Sequence, residues 1–131
     1  MMSKDVKETP VIIADDDAMM RDLLASLLRQ NGYHYIAFAQ DGAQAAQLLG
    51  VAAYQEALVF LDIHMPGMDG LAALAAARAA GSKAFVVMVS ADSALDKVLA
   101  ALNGGASGFV IKPYTANRII DMLDKFERGA Q

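Results

Sequence analysis

Three short runs, residues 11–14, 57–61 and 84–89, are continuous in Val, Ile, Leu, Phe, Met and Ala. Apolar character without alternation marks strands buried on both faces, as in a parallel sheet. Residues 33–39 are β-branched and aromatic and read as an edge strand. Residues 107–111 read as the last strand.

The intervening stretches switch to the helical period. Met20, Leu23, Leu24, Leu27 and Leu28 recur at i, i+3, i+4, i+7 and i+8, with Asp17 as N-cap and Asn31-Gly32 as the stop. Asp41-Gly42 opens a second helix that runs to about Leu49 and closes at Gly50. Leu71, Leu74 and Ala75 mark a third, to about Ala80, with Asp69 as its cap. Ser93 with Asp96 approximates a capping box for a fourth, whose buried face is Leu95, Val98, Leu99 and Leu102 and whose stop is Asn103-Gly104-Gly105. Thr115 caps a fifth, with Ile119, Met122, Leu123 and Phe126 facing inward. Five strands alternating with five helices predict an α/β fold with a parallel sheet covered on both faces.

Composition narrows the function classes. The chain has 131 residues and 56% hydrophobic content, enough for one domain with a proper core. A net charge of -4 without any basic cluster argues against direct nucleic-acid binding. With no cysteine, thiolate metal sites and disulfides are excluded. Residues 1–10 are polar, lack the apolar stretch of a signal peptide and read as a flexible arm, with one domain over 11–131. No apolar run approaches the roughly 20 residues of a membrane span, so the chain reads as soluble and cytoplasmic.

The strands end in chemistry. The first runs into Asp15-Asp16-Asp17, the central one into Asp62, the fourth into Ser90, and the last into Lys112-Pro113. In an open α/β sheet the crevice outside the carboxyl ends of the strands is where ligands bind. Singly, each has a plain alternative: Asp62 as a loop acid or cap, Ser90 as a turn residue, Lys112 as a surface lysine. Together, three converging carboxylates repel by about 4 kcal/mol per pair at 4 Å, which calls for a cation. Oxygen ligands select a hard ion, and Mg²⁺ fits best. Arg21 and Arg78 read most simply as solvated helix residues.

This set, in this order, resembles the receiver domain of two-component response regulators, over most of the chain from Val11 to about Phe126. The resemblance implies a flavodoxin-like, doubly wound sheet in the order 2-1-3-4-5. It implies that Asp62 is the phosphoacceptor and that Lys112 contacts the phosphoryl group. Mg²⁺ would be held by Asp16, Asp62 and the backbone carbonyl of His64, with Asp15 acting through water; the His64 imidazole is not needed. Ser90 and Phe109 take the hydroxyl and aromatic switch positions. Their surface between the fourth helix, last strand and fifth helix would carry Lys97, Ala100, Ala101, Tyr114 and Arg118. The Lys112-Pro113 bond would be cis.

The implied partners are a sensor histidine kinase or phosphotransfer protein and an unknown downstream protein or output domain, with neither nucleic acid nor membrane bound directly. Such a chain is no enzyme beyond its own phosphotransfer and dephosphorylation. The enzyme alternative is a Mg²⁺-dependent phosphohydrolase of the haloacid dehalogenase type, which wants a second Asp where His64 stands. A flavodoxin-like electron carrier would place a phosphate where Asp15-Asp16-Asp17 would repel it.

Overall fold

A computed structural model describes residues 5–91 and 95–129. Five strands, β1 (Val11–Ala14), β2 (Ile36–Ala39), β3 (Leu58–Asp62), β4 (Phe85–Ser90) and β5 (Gly108–Ile111), form one sheet in the order β2-β1-β3-β4-β5. Every neighbouring pair is parallel. Five helices alternate with them: α1 (Ala18–Gln30), α2 (Gly42–Leu49), α3 (Gly70–Ala79), α4 (Leu95–Asn103) and α5 (Ala116–Gly129). This is the doubly wound order that the resemblance implied.

The apolar strands divide their residues between two cores. Ile12, Val59, Leu61, Val86 and Met88 pack with Ala45 and Leu49 of α2, Ala73, Leu74 and Ala77 of α3, and Ala101 of α4. Val11, Ile13, Leu58, Phe60, Val87 and Val89 pack with Leu24, Ala25 and Leu28 of α1 and Ile119, Leu123 and Phe126 of α5. Successive residues thus face opposite layers, and the strand residues of both layers are buried.

Caps read from the sequence are made: Asp17 Oδ1 accepts from the N–H groups of Met19 and Met20, Asp69 from Ala72, and Thr115 from Arg118. Ser93 lies outside the described residues, and with it the expected capping box. β2 starts three residues later than the aromatic run suggested. Tyr33 instead closes α1: its N–H reaches the Leu28 carbonyl and that of Gly32, at φ 92, reaches Arg29. Its ring is fully buried, and its hydroxyl donates to Glu127 Oε2 at 2.6 Å.

Two helix faces are rotated from their sequence pattern. On α4, Leu99 and Leu102 are about half exposed while Ala101 is buried, the small residue letting the helix lie close on the sheet. On α1, Ala25 is buried and Leu23 is 43% exposed. Where a flexible arm was expected, Val6–Glu8 form a single 3-10 turn. Asp5 caps it, and Val6 packs against the α1/α5 core. Arg78 is no solvated helix residue: its Nε and Nη2 donate to the Gly105 carbonyl and Nη1 to that of Ser82. Burial holds its pKa below the ordinary value.

Candidate functional site

Parallel pairing aligns the strand ends. Asp62 is the last residue of β3 and pairs with Val89, so Ser90 stands one residue beyond it on β4. Ser90 pairs in turn with Ile111, and the Lys112 N–H donates to the Ser90 carbonyl at 2.8 Å. On the other side, Ala14 pairs with Leu61, which brings Asp15 beside Asp62. Four chain segments distant in sequence therefore deliver Asp15, Asp62, Ser90 and Lys112 to one crevice.

The Lys112 ammonium sits between two carboxylates, 2.7 Å from Asp15 Oδ2 and 2.9 Å from Asp62 Oδ2. Asp15 and Asp62 are 1% and 3% exposed, whereas Asp16 is exposed. Oxygens of all three lie within 4.8 Å of one another. The contact to Asp62 is also a hydrogen bond. The contact to Asp15 Oδ2 is an ion pair out of hydrogen-bond alignment, and this buried oxygen has no hydrogen-bond partner. Asp62 Oδ1 accepts from the His64 N–H at 3.2 Å, and Asp15 Oδ1 from the Asp17 N–H at 2.9 Å.

Burial pushes the Asp62 pKa up; the bond and charge of Lys112 oppose this, the Asp15 charge adds to it, and the net direction is upward. For Lys112, burial favours the neutral amine, but its close contacts with the Asp15 and Asp62 carboxylates and their charges outweigh it and raise its pKa. One ammonium thus meets two of the three clustered carboxylates, Asp15 and Asp62. An all-oxygen donor set of three carboxylates, with one ammonium leaving negative charge in excess, fits a hard divalent cation.

The loop after β3 is held by close backbone approach. A Cβ on Gly70 would lie 2.1 Å from the Asp62 carbonyl oxygen, and one on Gly42 1.7 Å from that of Met68. Only glycine lets α3 and α2 close on this loop.

The sequence pattern of the response regulator receiver domain matches residues 11–124. The chain belongs to this family. This receiver domain is 36% identical over 118 residues to the chemotaxis protein CheY of Bacillus subtilis (strain 168), covering 88% of this chain and 94% of that one. It is equally 36% identical over 118 residues to CheY of Listeria monocytogenes, with 88% and 95% covered. Among solved structures, the CheX–CheY–BeF3–Mg²⁺ complex from Borrelia burgdorferi superposes with a TM-score of 0.81 at 29% identity, over 88% of this chain and 86% of that one. The chain is a receiver domain of two-component signalling, similar to chemotaxis regulators, and the match carries the receiver pattern rather than that of the phosphohydrolase alternative.

Of the residues expected in a receiver site, Asp15, Asp16, Asp62 and Lys112 are brought together. Ser90 is fully buried at the β4 end. His64 offers its backbone beside Asp62, while its side chain is exposed. Phe109 is partly buried against the α2/α3/α4 core, on β5 opposite Met88. The Lys112-Pro113 bond is cis.

The surface expected between α4, β5 and α5 needs correction. Ala101 and Tyr114 are buried while Ala100 and Arg118 are exposed, and among the described residues the large exposed apolar side chains on these elements are Leu99, Leu102, Ile111 and Ile120. The sequence reading missed two neighbours of the site. Tyr114 is buried close enough for its phenol pKa to be raised by burial and then by the charges of Asp15 and Asp62. Arg21 Nη1 donates to the Asp15 carbonyl at 2.6 Å. The available signals were an aromatic directly after Lys112-Pro113 and an arginine one turn into the helix that follows the acids.

Proposed function

We propose that this receiver domain accepts a phosphoryl group on Asp62 from the phosphohistidine of a sensor histidine kinase or phosphotransfer protein, and so switches its affinity for a downstream protein or output domain. The observation that carries this reading is the Lys112 ammonium bridging Asp15 and Asp62 at 2.7 and 2.9 Å, with Asp16 open to solvent beside them. An Asp62 oxygen would bond phosphorus as the bond from the donor imidazole nitrogen breaks. Lys112 is placed to meet a phosphoryl oxygen as a point charge.

Asp16, Asp62 and the His64 carbonyl would hold Mg²⁺, with Asp15 acting through water. The ion would supply charge neutralisation at the phosphoryl oxygens. The Borrelia relative, described as a complex with BeF3 and Mg²⁺, supports this reading. Ser90 stands one residue past the β4 partner of Asp62, and on this reading its hydroxyl would donate to an added phosphoryl group. Phe109 then follows, altering the exposed apolar surface of Leu99, Leu102, Ile111 and Ile120.

On this reading residues 11–131 act as one cytoplasmic domain that turns over no substrate other than its own acyl phosphate. No helix among the described residues is long and apolar enough to cross a membrane.

Acetyl phosphate with Mg²⁺ should add one phosphoryl group by intact mass, labile to hydroxylamine. Asp62→Asn should add none; full labelling of that variant places the acceptor elsewhere. NMR with beryllofluoride and Mg²⁺ should move the signals of Ser90 and the Phe109 ring, and unmoved signals in a saturated complex would remove the switch.

A further inference from the structure

We infer that Arg21 is a positioning residue for the cation-binding acids, acting through the peptide that joins Asp15 to Asp16. The inference rests on the reading of these acids as a Mg²⁺ site. Arg21 lies in the first turn of α1, half-buried, and its own N–H bonds the Asp17 carbonyl at 3.0 Å. Its guanidinium folds back toward the end of β1, where Nη1 donates to the Asp15 carbonyl at 2.6 Å.

Asp15 is thereby fixed on every side. Its N–H donates to the Ala39 carbonyl at 3.1 Å, Oδ1 accepts from the Asp17 N–H at 2.9 Å, and Oδ2 lies 2.7 Å from Lys112 Nζ. Its carbonyl is the remaining polar group, and Arg21 takes it. A peptide unit is planar, so the contact that fixes the Asp15 carbonyl also fixes the Asp16 nitrogen and Cα, the point from which the Asp16 side chain leaves the chain. Asp16 is the exposed carboxylate of the three, and its aim is set by this backbone.

A guanidinium suits this role because it reaches across a helical turn, stays charged and donates in a fixed plane. A charge-assisted bond at 2.6 Å is at the strong end of such contacts. Charge and position make opposite demands here. As a mere positive charge beside an acidic cluster, Arg21 would repel a second cation, so its removal would tighten Mg²⁺ binding. As the clamp on the Asp15–Asp16 peptide, its removal would weaken binding by loosening Asp16, in the way that outer contacts tune metal ligands. The sign of the change therefore separates the two.

The test is a Mg²⁺ titration of the intact chain by amide NMR, for wild type, Arg21→Met, Arg21→Lys and Arg21→Gln. The inference expects the Mg²⁺ dissociation constant to rise roughly tenfold in Arg21→Met. It expects a smaller rise in Arg21→Lys, which keeps the charge and one donor. Unchanged or tighter Mg²⁺ binding in Arg21→Met overturns it, and should the methionine variant fail to fold, the same result in Arg21→Gln overturns it equally. A wild type with no saturable Mg²⁺ shift overturns the cation site itself and the inference with it, an outcome distinct from a wild type that binds and variants that bind equally well.

Discussion

Replacing Asp62 by Asn is expected to stabilise the cation-free protein even as it removes the phosphoacceptor. The Lys112 ammonium at 2.9 Å attracts the Asp62 carboxylate by about 6 kcal/mol at an effective dielectric of 20. Asp15, with its oxygen within 4.8 Å, repels it by about 3.5 kcal/mol or more. The remaining attraction of about 2 kcal/mol is smaller than the several kcal/mol needed to take a carboxylate out of water. The upward direction of the Asp62 pKa expresses the same balance. In Asp62→Asn, Lys112 keeps its ion pair with Asp15, and the single amide oxygen takes the place of one of the two Asp62 oxygens, Oδ2 facing Lys112 or Oδ1 facing the His64 N–H, so one of these two donors gives up its bond to residue 62.

The variant should therefore gain about 1–3 kcal/mol at pH 7 in EDTA, read by urea unfolding. A carboxyl whose folded pKa lies above its ordinary 3.8 favours the folded state when protonated. That contribution is present below 3.8 and is lost as pH rises through the folded value. The advantage of Asn over Asp should accordingly shrink toward zero in acid. Saturating Mg²⁺ should shrink it too, because the ion binds folded wild type by mass action. Loss of more than about 1 kcal/mol in Asp62→Asn in EDTA at pH 7 would refute the reasoning, because it would mean that the Lys112 contact outweighs burial and Asp15 together.

Arg78→Ala removes donors to the Gly105 and Ser82 carbonyls and should cost about 1.5–3 kcal/mol in urea unfolding; a change below about 0.5 kcal/mol would show these contacts to be inert. Gly42→Ala drives a methyl to 1.7 Å from the Met68 carbonyl oxygen and should cost about 1–3 kcal/mol. A Cβ on Gly129 meets nothing within 4 Å, so Gly129→Ala should stay close to wild type, and equal melting temperatures for the two would rule out the close approach.

Much of this molecule is legible in the chain because its signals are local. A continuous apolar run reports burial on both faces, so β1, β3 and β4 can be read without knowing their neighbours. Asp17, Asp69 and Thr115 act on N–H groups two or three residues away, and caps of that reach are written in sequence. The site acids and Lys112 are legible for a related reason: each ends a recognisable strand, and parallel strands bring their carboxyl ends to one edge.

What depends on long reach was decided only by folding. Tyr33 has the composition of a strand residue, yet its hydroxyl finds Glu127, 94 positions along the chain, and its backbone closes α1. Leu99 and Leu102 match a buried stripe, but α4 sits on the sheet through Ala101, because close packing selects volume as well as apolarity. Arg21 and Arg78 look solvated because a side chain's charge says nothing of which carbonyl lies within its reach. The protonation balance at Asp62 is also tertiary. It depends on burial, one lysine 50 residues away and a second carboxylate from another strand, all meeting at a distance that no local pattern encodes.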